Sequence, residues 1–191
     1  MPHTLEDPAT LAIALAAEGG LAAAGAVVCW LLEIPLAEQL LPTHGPAATL
    51  ALGAAATAPM IGLFFVLLWL RWRPLARLRR QVKQLVRELL GGAGYAVIAA
   101  VALSAGFGEE LLFRGALQPA FAQVVGVWPG VAAAALLFGM VHPMSFAYFT
   151  IATLCGLYLG MVTELTGELL PAIIAHAAYD FVALVWLRRA G

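Results

Sequence analysis

Long apolar stretches separated by short polar ones run along most of the 191-residue chain. An α-helix needs about 20 mostly apolar residues to cross roughly 30 Å of hydrocarbon. The pattern predicts about six membrane-spanning helices, the fourth of which is short unless it continues past Pro143. The apolar stretches fall at about 9–32, 48–70, 93–113, 129–142, 146–163 and 169–187.

The same pattern predicts the fold class. Backbone N–H and C=O groups must be paired within the chain at membrane depth, so only helices and closed β-barrels span a bilayer. The sequence lacks the alternation of apolar and polar residues that is typical of barrel strands. We therefore expect an all-α, polytopic helical bundle that forms one membrane domain over residues 1–191. Residues 1–90 would contribute two N-terminal helices and a basic loop, and residues 91–191 the other helices.

Composition supports a membrane protein. The chain is 63% hydrophobic and 11% charged, whereas soluble domains carry about 25% charged residues. Its net charge of −1 gives no reason to expect a nucleic-acid partner. Cys29 and Cys155 lie inside apolar stretches without the spacing of a zinc site, so we interpret both as small buried hydrophobic residues.

Basic residues are concentrated in one loop. Seven of the ten lie between Arg71 and Arg87, and Arg188 and Arg189 stand near the C-terminus. Cytoplasmic loops of membrane proteins carry an excess of Lys and Arg, so we expect the loop and both chain termini to be cytoplasmic. The loop could form an amphipathic helix on anionic headgroups. The opening MPHTLEDP lacks the basic residues of a cleaved signal peptide.

Six ionisable residues interrupt the apolar pattern in the second half of the chain. Each such group at membrane depth costs roughly 2.5–3.5 kcal/mol on the insertion scale, and such groups usually face a bundle interior or a watery cavity. A functional role is therefore the default interpretation. These residues are Glu109, Glu110, Arg114, His142, His176 and Asp180.

Their spacing suggests how they cooperate. Glu110 and Arg114 are four residues apart and can pair along one helix face, whereas Glu109 points about 100° away and keeps its carboxylate free. His176 and Asp180 have the same spacing, so the carboxylate can orient the imidazole. Counting 1.5 Å per residue places Glu109 and His142 at similar depths, near the middle of the bilayer. A carboxylate and two imidazoles at one point are suited to general-base catalysis.

Three short motifs in the second half of the chain resemble those of a known protein family. EELLFR fits EExxxR, FGMVH fits FxxxH and HAAYD fits HxxxN/D, in that order and each on a predicted helix. The region from about 93 to 187 resembles the CPBP intramembrane proteases, which include CAAX prenyl endopeptidases and Abi-like bacteriocin-processing or self-immunity proteins. Some bacterial relatives are thought to process C-terminal sorting signals of surface proteins.

The resemblance implies a role for each residue. Glu109 would activate a water molecule that it shares with His142, while Glu110 and Arg114 support the first motif. His176 would stabilise the oxyanion. Where relatives carry asparagine, this chain has Asp180, which as a carboxylate only accepts hydrogen bonds, so we expect it to orient His176. We expect a metal-free glutamate mechanism without a cofactor and keep a zinc metalloprotease as the alternative.

The resulting hypothesis is an intramembrane endopeptidase. Its substrate would be a membrane protein or a lipidated peptide within the lipid bilayer, and the protein would reside in a bacterial inner membrane. A proton-coupled transporter remains an alternative, because carboxylates and histidines can relay protons. A non-catalytic immunity or binding protein is a further alternative.

Overall fold

The structure is a computed structural model that describes residues 4–189. These residues form nine α-helices and one π-helical segment, with no strand among them. The first and last residues of the chain lie outside the described range, so the termini predicted to be cytoplasmic are not fully described. In chain order the elements are α1 (Pro8–Leu31), α2 (Leu36–Gln39), α3 (Pro46–Trp69), α4 (Arg73–Leu90), α5 (Tyr95–Glu110), the π segment (Leu111–Leu117), α6 (Gln118–Val125), α7 (Val127–Met140), α8 (Phe146–Thr166) and α9 (Leu170–Arg189).

The apolar stretches correspond to these helices, and the predicted all-α membrane bundle is confirmed. Within the described range, five helices are long and apolar enough to cross a membrane, and α7 is a shorter apolar helix of 14 residues. The third apolar stretch was predicted to end near residue 113. Instead α5, the π segment and α6 form one continuous rod of 31 residues, Tyr95–Val125.

The prediction that His142 lies on a helix is wrong. α7 ends at Met140, and His142 lies in the connection to α8. Pro143 explains this end, because proline disfavours helical backbone angles in the residue before it. The second motif thus begins on a helix and ends in a turn.

Helix α9 lies at the centre of the bundle. It packs against α3, α5, α8 and α4, and α7 packs against α8 and α6. Ala172 and Ala175 of α9 are fully buried. Small side chains let helix backbones approach closely, which is the usual way of packing helices within a membrane. The start of the first motif, at the end of α5, is therefore held beside the third motif on α9.

Helix α1 packs on the rod through glycines. A Cβ added at Gly25 would lie 2.9 Å from the Leu111 carbonyl oxygen, and one added at Gly108 would lie 2.4 Å from the Glu18 carbonyl oxygen. Both distances are below normal carbon–oxygen contact, so only glycine permits this approach. α1 is thereby held against the rod next to Glu109.

The two ends of the bundle differ in chemistry. At one end, α4 is amphipathic: Leu75, Leu78, Val86 and Leu90 are buried, while most of its basic side chains are exposed. At the other end, the Glu168 carboxylate is fully buried between α8 and α9. It accepts hydrogen bonds from the hydroxyl groups of Thr43 (2.7 Å) and Thr49 (2.6 Å) and from the His44 amide (2.7 Å). Glu168 thus connects the α8–α9 connection to the first turn of α3 and to the chain just before it.

Candidate active site

Glu110 is the centre of a buried ionic cluster. One of its carboxylate oxygens, Oε1, accepts hydrogen bonds from Arg114 Nη1 (2.8 Å) and from His176 Nδ1 (2.7 Å). Glu110 is 0% exposed and Arg114 is 1% exposed. Burying a charge in a bundle is tolerable only when it is paired and hydrogen-bonded. The arginine supplies the opposite charge, and the carboxylate fixes the orientation of the imidazole.

The second nitrogen of His176 faces two further carboxylates. Nε2 lies 3.6 Å from Asp180 Oδ2 and 3.9 Å from Glu109 Oε2. Both distances exceed a normal hydrogen bond, so neither carboxylate is bound tightly to the ring. Because Glu110 already holds the Nδ1 proton, a second proton on this imidazole would be on Nε2, on the side of Glu109 and Asp180.

His142 reaches the site from the turn after α7. Its Nδ1 donates to the Phe138 carbonyl oxygen (2.7 Å), which leaves Nε2 as the acceptor nitrogen of the neutral ring. The imidazole lies on the Phe138 ring at a centroid distance of 4.7 Å. The Arg114 guanidinium lies 4.3 Å from the centroid of the same phenyl ring. Phe138 therefore packs between the buried ionic cluster and His142.

These groups line one small cavity of about 100 Å³. α5 contributes Glu109, the turn after α7 contributes His142, and α9 contributes His176 and Asp180. The volume admits a few water molecules, whose share of liquid volume is about 30 Å³ each. A second, mostly apolar cavity of about 250 Å³ lies under α4 and shares Asp180 and three other lining residues with the first. Carboxylate, imidazole and space for water thus meet at one point.

Comparison with protein families identifies this part of the chain. Residues 92–182 match the model of the type II CAAX prenyl endopeptidase Rce1-like family. This region belongs to the Rce1-like family. It extends from just before α5 into α9 and contains all six ionisable residues singled out from the sequence. Searches of curated proteins and of solved structures give no match. At the level of the family, this match supports an intramembrane endopeptidase.

All six predicted residues of the Rce1-like region lie in or beside the cavity, but one contact differs from expectation. Asp180 was expected to orient His176. In the structure Glu110 makes the hydrogen bond to this ring, and Asp180 stands beyond hydrogen-bond distance from the other nitrogen. The reason is that α5 packs directly against α9. That packing brings the fully buried Glu110 carboxylate closer to the His176 ring than Asp180, which lies on the same helix as the ring.

Sequence reasoning missed several residues that line the cavity. Tyr148 and Cys155 of α8 and Tyr179 of α9 contribute to its wall. The Tyr148 ring lies 5.6 Å from the His142 ring, measured between centroids. Tyr148 is six residues after His142 and Tyr179 precedes Asp180, so proximity to the motifs was the available signal. Neither tyrosine stands out in the sequence, because tyrosine is enriched near the ends of membrane helices, at the membrane–water interfaces.

A zinc ion, the alternative to the glutamate mechanism, would draw its ligands from these same side chains. Among the described residues, no group of three His, Cys, Asp or Glu side chains converges as the ligands of one ion would. A three-ligand zinc site needs its donors within about 2.3 Å of the metal. His176 Nδ1 and one Glu110 oxygen are already bound to each other. Together with Arg114, these two groups form a buried ion-pair network.

Proposed function

We propose that this protein is a glutamate-type intramembrane endopeptidase that cleaves a membrane-embedded or lipidated protein. The observation that carries the proposal is the shared cavity, in which Glu109 and His142 face the same space from different elements. Glu109 keeps 15% of its side chain exposed and has no hydrogen bond at Oε2 within the described residues. A carboxylate in that position can take a proton from water.

The reaction follows from these positions. Water enters between Glu109 and His142 Nε2, and its oxygen attacks the scissile carbonyl carbon while a proton passes to the Glu109 carboxylate. The negative charge that develops on the carbonyl oxygen is stabilised by a proton on His176 Nε2, a contribution worth about 3 kcal/mol for one preorganised donor. Glu109 then passes its proton to the departing amide nitrogen. The C–N bond breaks, leaving a carboxylic acid and an amine, and the acid then gives up its proton to water or to the amine.

Glu110 and Arg114 act in this proposal without touching the substrate. Glu110 holds His176 Nδ1, and Arg114 balances the charge of that carboxylate. Asp180 stabilises the imidazolium through its charge at 3.6 Å. The proposed step uses no metal ion or cofactor. We further propose residence in a bacterial inner membrane, with both chain termini in the cytoplasm.

The deciding experiment compares membrane proteomes of cells carrying the wild type or Glu109→Gln. Glu38→Gln, at an exposed position of α2, is the matched control. We expect protein termini that appear with the wild type and the control and are absent with Glu109→Gln. These termini would identify both the substrate and the scissile bond. Unchanged termini, together with a phenotype that survives Glu109→Gln, would instead favour an immunity or binding protein.

Purified enzyme and a substrate found in this way test the absence of a metal. Activity should persist after treatment with a strong chelator and removal of the chelator. Loss of activity that zinc restores would overturn the glutamate mechanism in favour of a metalloprotease. Substrate cleavage itself would remain established in that case, so the two parts of the proposal are tested separately.

A further inference from the structure

Polar side chains continue along the rod beyond the cavity, away from α4. Glu110, Arg114 and Gln118 follow one another at intervals of four residues, and none is more than 1% exposed. Opposite them, α8 carries Gly156, Gly160 and Glu164 at the same interval. Residues four apart share one face of a helix, although the π segment alters the spacing on the rod. A polar face of the rod thus lies against a face of α8 that consists of two glycines and a carboxylate.

The two glycines make room for the polar side chains. A Cβ added at Gly156 would lie 3.1 Å from Arg114 Nη2, and one added at Gly160 would lie 2.6 Å from Gln118 Oε1. Gln118 Nε2 donates to the Gly160 carbonyl oxygen (3.2 Å) and to Glu164 Oε1 (2.8 Å). Glu164, which is half-buried, therefore ends the polar face on the side of the bundle opposite α4.

The space between Arg114, Gln118 and the two glycines Gly156 and Gly160 is called the slot here. One donor and one acceptor that border the slot have no partner among the described residues. Arg114 Nη2 and Gln118 Oε1 are both buried, and neither makes a hydrogen bond within the described part of the chain. Leaving such a buried atom unpaired is unfavourable, because its hydrogen bonds to water are lost without replacement. Each lies within about 3 Å of the Cβ site of a glycine, and Cβ sites four residues apart on a helix are about 6 Å apart. One water oxygen can make hydrogen bonds of about 2.9 Å to two atoms that lie up to about 5–6 Å apart, and the positions of Arg114 Nη2 and Gln118 Oε1 beside the two glycines are compatible with such a separation.

We propose that a buried water molecule binds in this slot, accepting from Arg114 Nη2 and donating to Gln118 Oε1, and that Gln118 and Glu164 thereby position the Glu110–His176 pair. The water completes a chain of alternating donors and acceptors from Glu164 to His176. Through this chain Arg114, which is paired with Glu110, is also connected to a second carboxylate, that of Glu164. Gln118 and Glu164 are positioning residues, because neither lines the cavity that contains Glu109 and His142.

A high-resolution experimental structure of the wild-type protein in lipid tests the water directly. The expected result is density for one water within hydrogen-bond distance of both Arg114 Nη2 and Gln118 Oε1. A direct hydrogen bond between these two atoms, or a slot without density, would overturn the proposal. This measurement needs neither a substrate nor a variant, so it remains decisive if variants fail to fold.

The positioning role is tested by the ¹⁵N resonances of the His176 ring in protein whose histidines are labelled with ¹⁵N. Gln118→Leu removes the amide and should move these resonances, because Arg114 and Glu110 then shift. Gln84→Leu is the matched control, since Gln84 Nε2 donates to Glu88 Oε1 at 2.8 Å in an exposed pair on α4. Equal His176 resonances in the two variants would show that Gln118 does not position the ring.

Substitutions at Glu164 separate the hydrogen bond from the charge. Glu164→Gln keeps an acceptor for Gln118 Nε2 and should leave the slot water in place, whereas Glu164→Ala should move the His176 resonances as Gln118→Leu does. If Glu164→Ala leaves the resonances at the wild-type positions, Glu164 has no part in the chain. These readouts are independent of proteolysis, so their failure would not bear on the proposed peptidase.

Discussion

Glu109 and Glu110 are adjacent in the sequence but occupy different environments. Glu110 is fully buried and bound to a guanidinium and an imidazole, which consumes one of its oxygens. Glu109 faces a cavity and is partly exposed. One carboxylate is therefore fixed as part of the scaffold, and the other is available for a proton. The division follows from helix geometry, since neighbouring residues point about 100° apart.

Arg114→Ala should destabilise the folded protein strongly. Removing one partner of a buried ion pair leaves the other charge uncompensated, which costs about 3–5 kcal/mol. The free energy of unfolding in detergent micelles is the measurement. Arg80→Ala, at an exposed position of α4, is the control and should change this free energy by less than about 1 kcal/mol. Equal losses in the two variants would contradict the importance of the Glu110–Arg114 pair.

Glu168 should make stability depend on pH in the acid range. Burial alone would raise the pKa of this carboxyl, but hydrogen bonds from Thr49, Thr43 and the His44 amide outweigh it and lower the pKa to about 2 from an ordinary value of 4.5. A folded-state pKa below the unfolded value stabilises the fold fully above about pH 4.5, and this contribution is lost as the pH falls toward 2.

The comparison with Glu168→Gln isolates that effect. The melting temperature of the wild type should exceed that of the variant by a constant amount near neutral pH. The difference should shrink progressively once the pH falls below about 4.5. A difference that stays constant down to pH 3 would show that the Glu168 carboxylate is not the group responsible.

Sequence spacing predicted some contacts of the site and not others. The Glu110–Arg114 pair could be predicted because both residues lie within about one turn of the same rod. The contact between Glu110 and His176 joins residues 66 positions apart and depends on how α5 packs against α9. No local pattern encodes that packing, so the sequence assigned the orienting role to Asp180, the nearest carboxylate on the same helix. The contacts of Gln118 could not be predicted from the sequence for the same reason.

At the scale of the element, the π segment is the main departure from a regular helix. A π-helix bonds residue i to i+5 and is often found at functional sites. Here it begins directly after Glu110 and includes Arg114. The Gly115 carbonyl oxygen accepts hydrogen bonds from Gln39 Nε2 (3.1 Å) and Cys29 Sγ (3.4 Å). The sequence predicted helix in this region but could not predict its type, because an apolar stretch has no distinct periodicity.

The contact between α1 and the rod should depend on glycine. Gly25→Ala places a methyl group 2.9 Å from the Leu111 carbonyl oxygen, so the helices must separate. Overpacking of this kind costs about 1–3 kcal/mol. Gly20→Ala on the same helix is the matched control, since a Cβ there meets nothing within 4 Å.

Unfolding in detergent micelles distinguishes the two alanine variants. Gly25→Ala should lower the free energy of unfolding, and Gly20→Ala should leave it unchanged or raise it by up to about 1 kcal/mol, because alanine favours helix. If Gly25→Ala were as stable as Gly20→Ala, α1 would not be packed tightly on the π segment.

At the scale of the whole molecule, the uneven charge predicts orientation. The exposed basic face of α4 lies at one end of the bundle, and the Glu168 cluster lies at the other. Five long apolar helices and their order could be predicted from the sequence, because hydropathy alone locates membrane helices. The cavity between them could not, since it arises from helices that are distant along the chain.

Thiol labelling tests this orientation. In a chain without Cys29 and Cys155, Arg77→Cys on α4 and Glu38→Cys on α2 introduce single exposed thiols at opposite ends. A membrane-impermeant maleimide should label Glu38→Cys in intact spheroplasts and Arg77→Cys only after permeabilisation. The reverse pattern would place α4 outside the cytoplasm.

The shortness of α7 has a consequence for the surrounding lipid. At 1.5 Å per residue, its 14 residues extend about 21 Å, whereas the hydrocarbon region is about 30 Å thick. Lipids accommodate such hydrophobic mismatch by thinning next to the short segment. The bilayer should therefore be indented beside α7, which shortens the distance from bulk water to the turn that carries His142. Longer acyl chains would deepen that distortion, so the thickness of the surrounding membrane should influence the reaction.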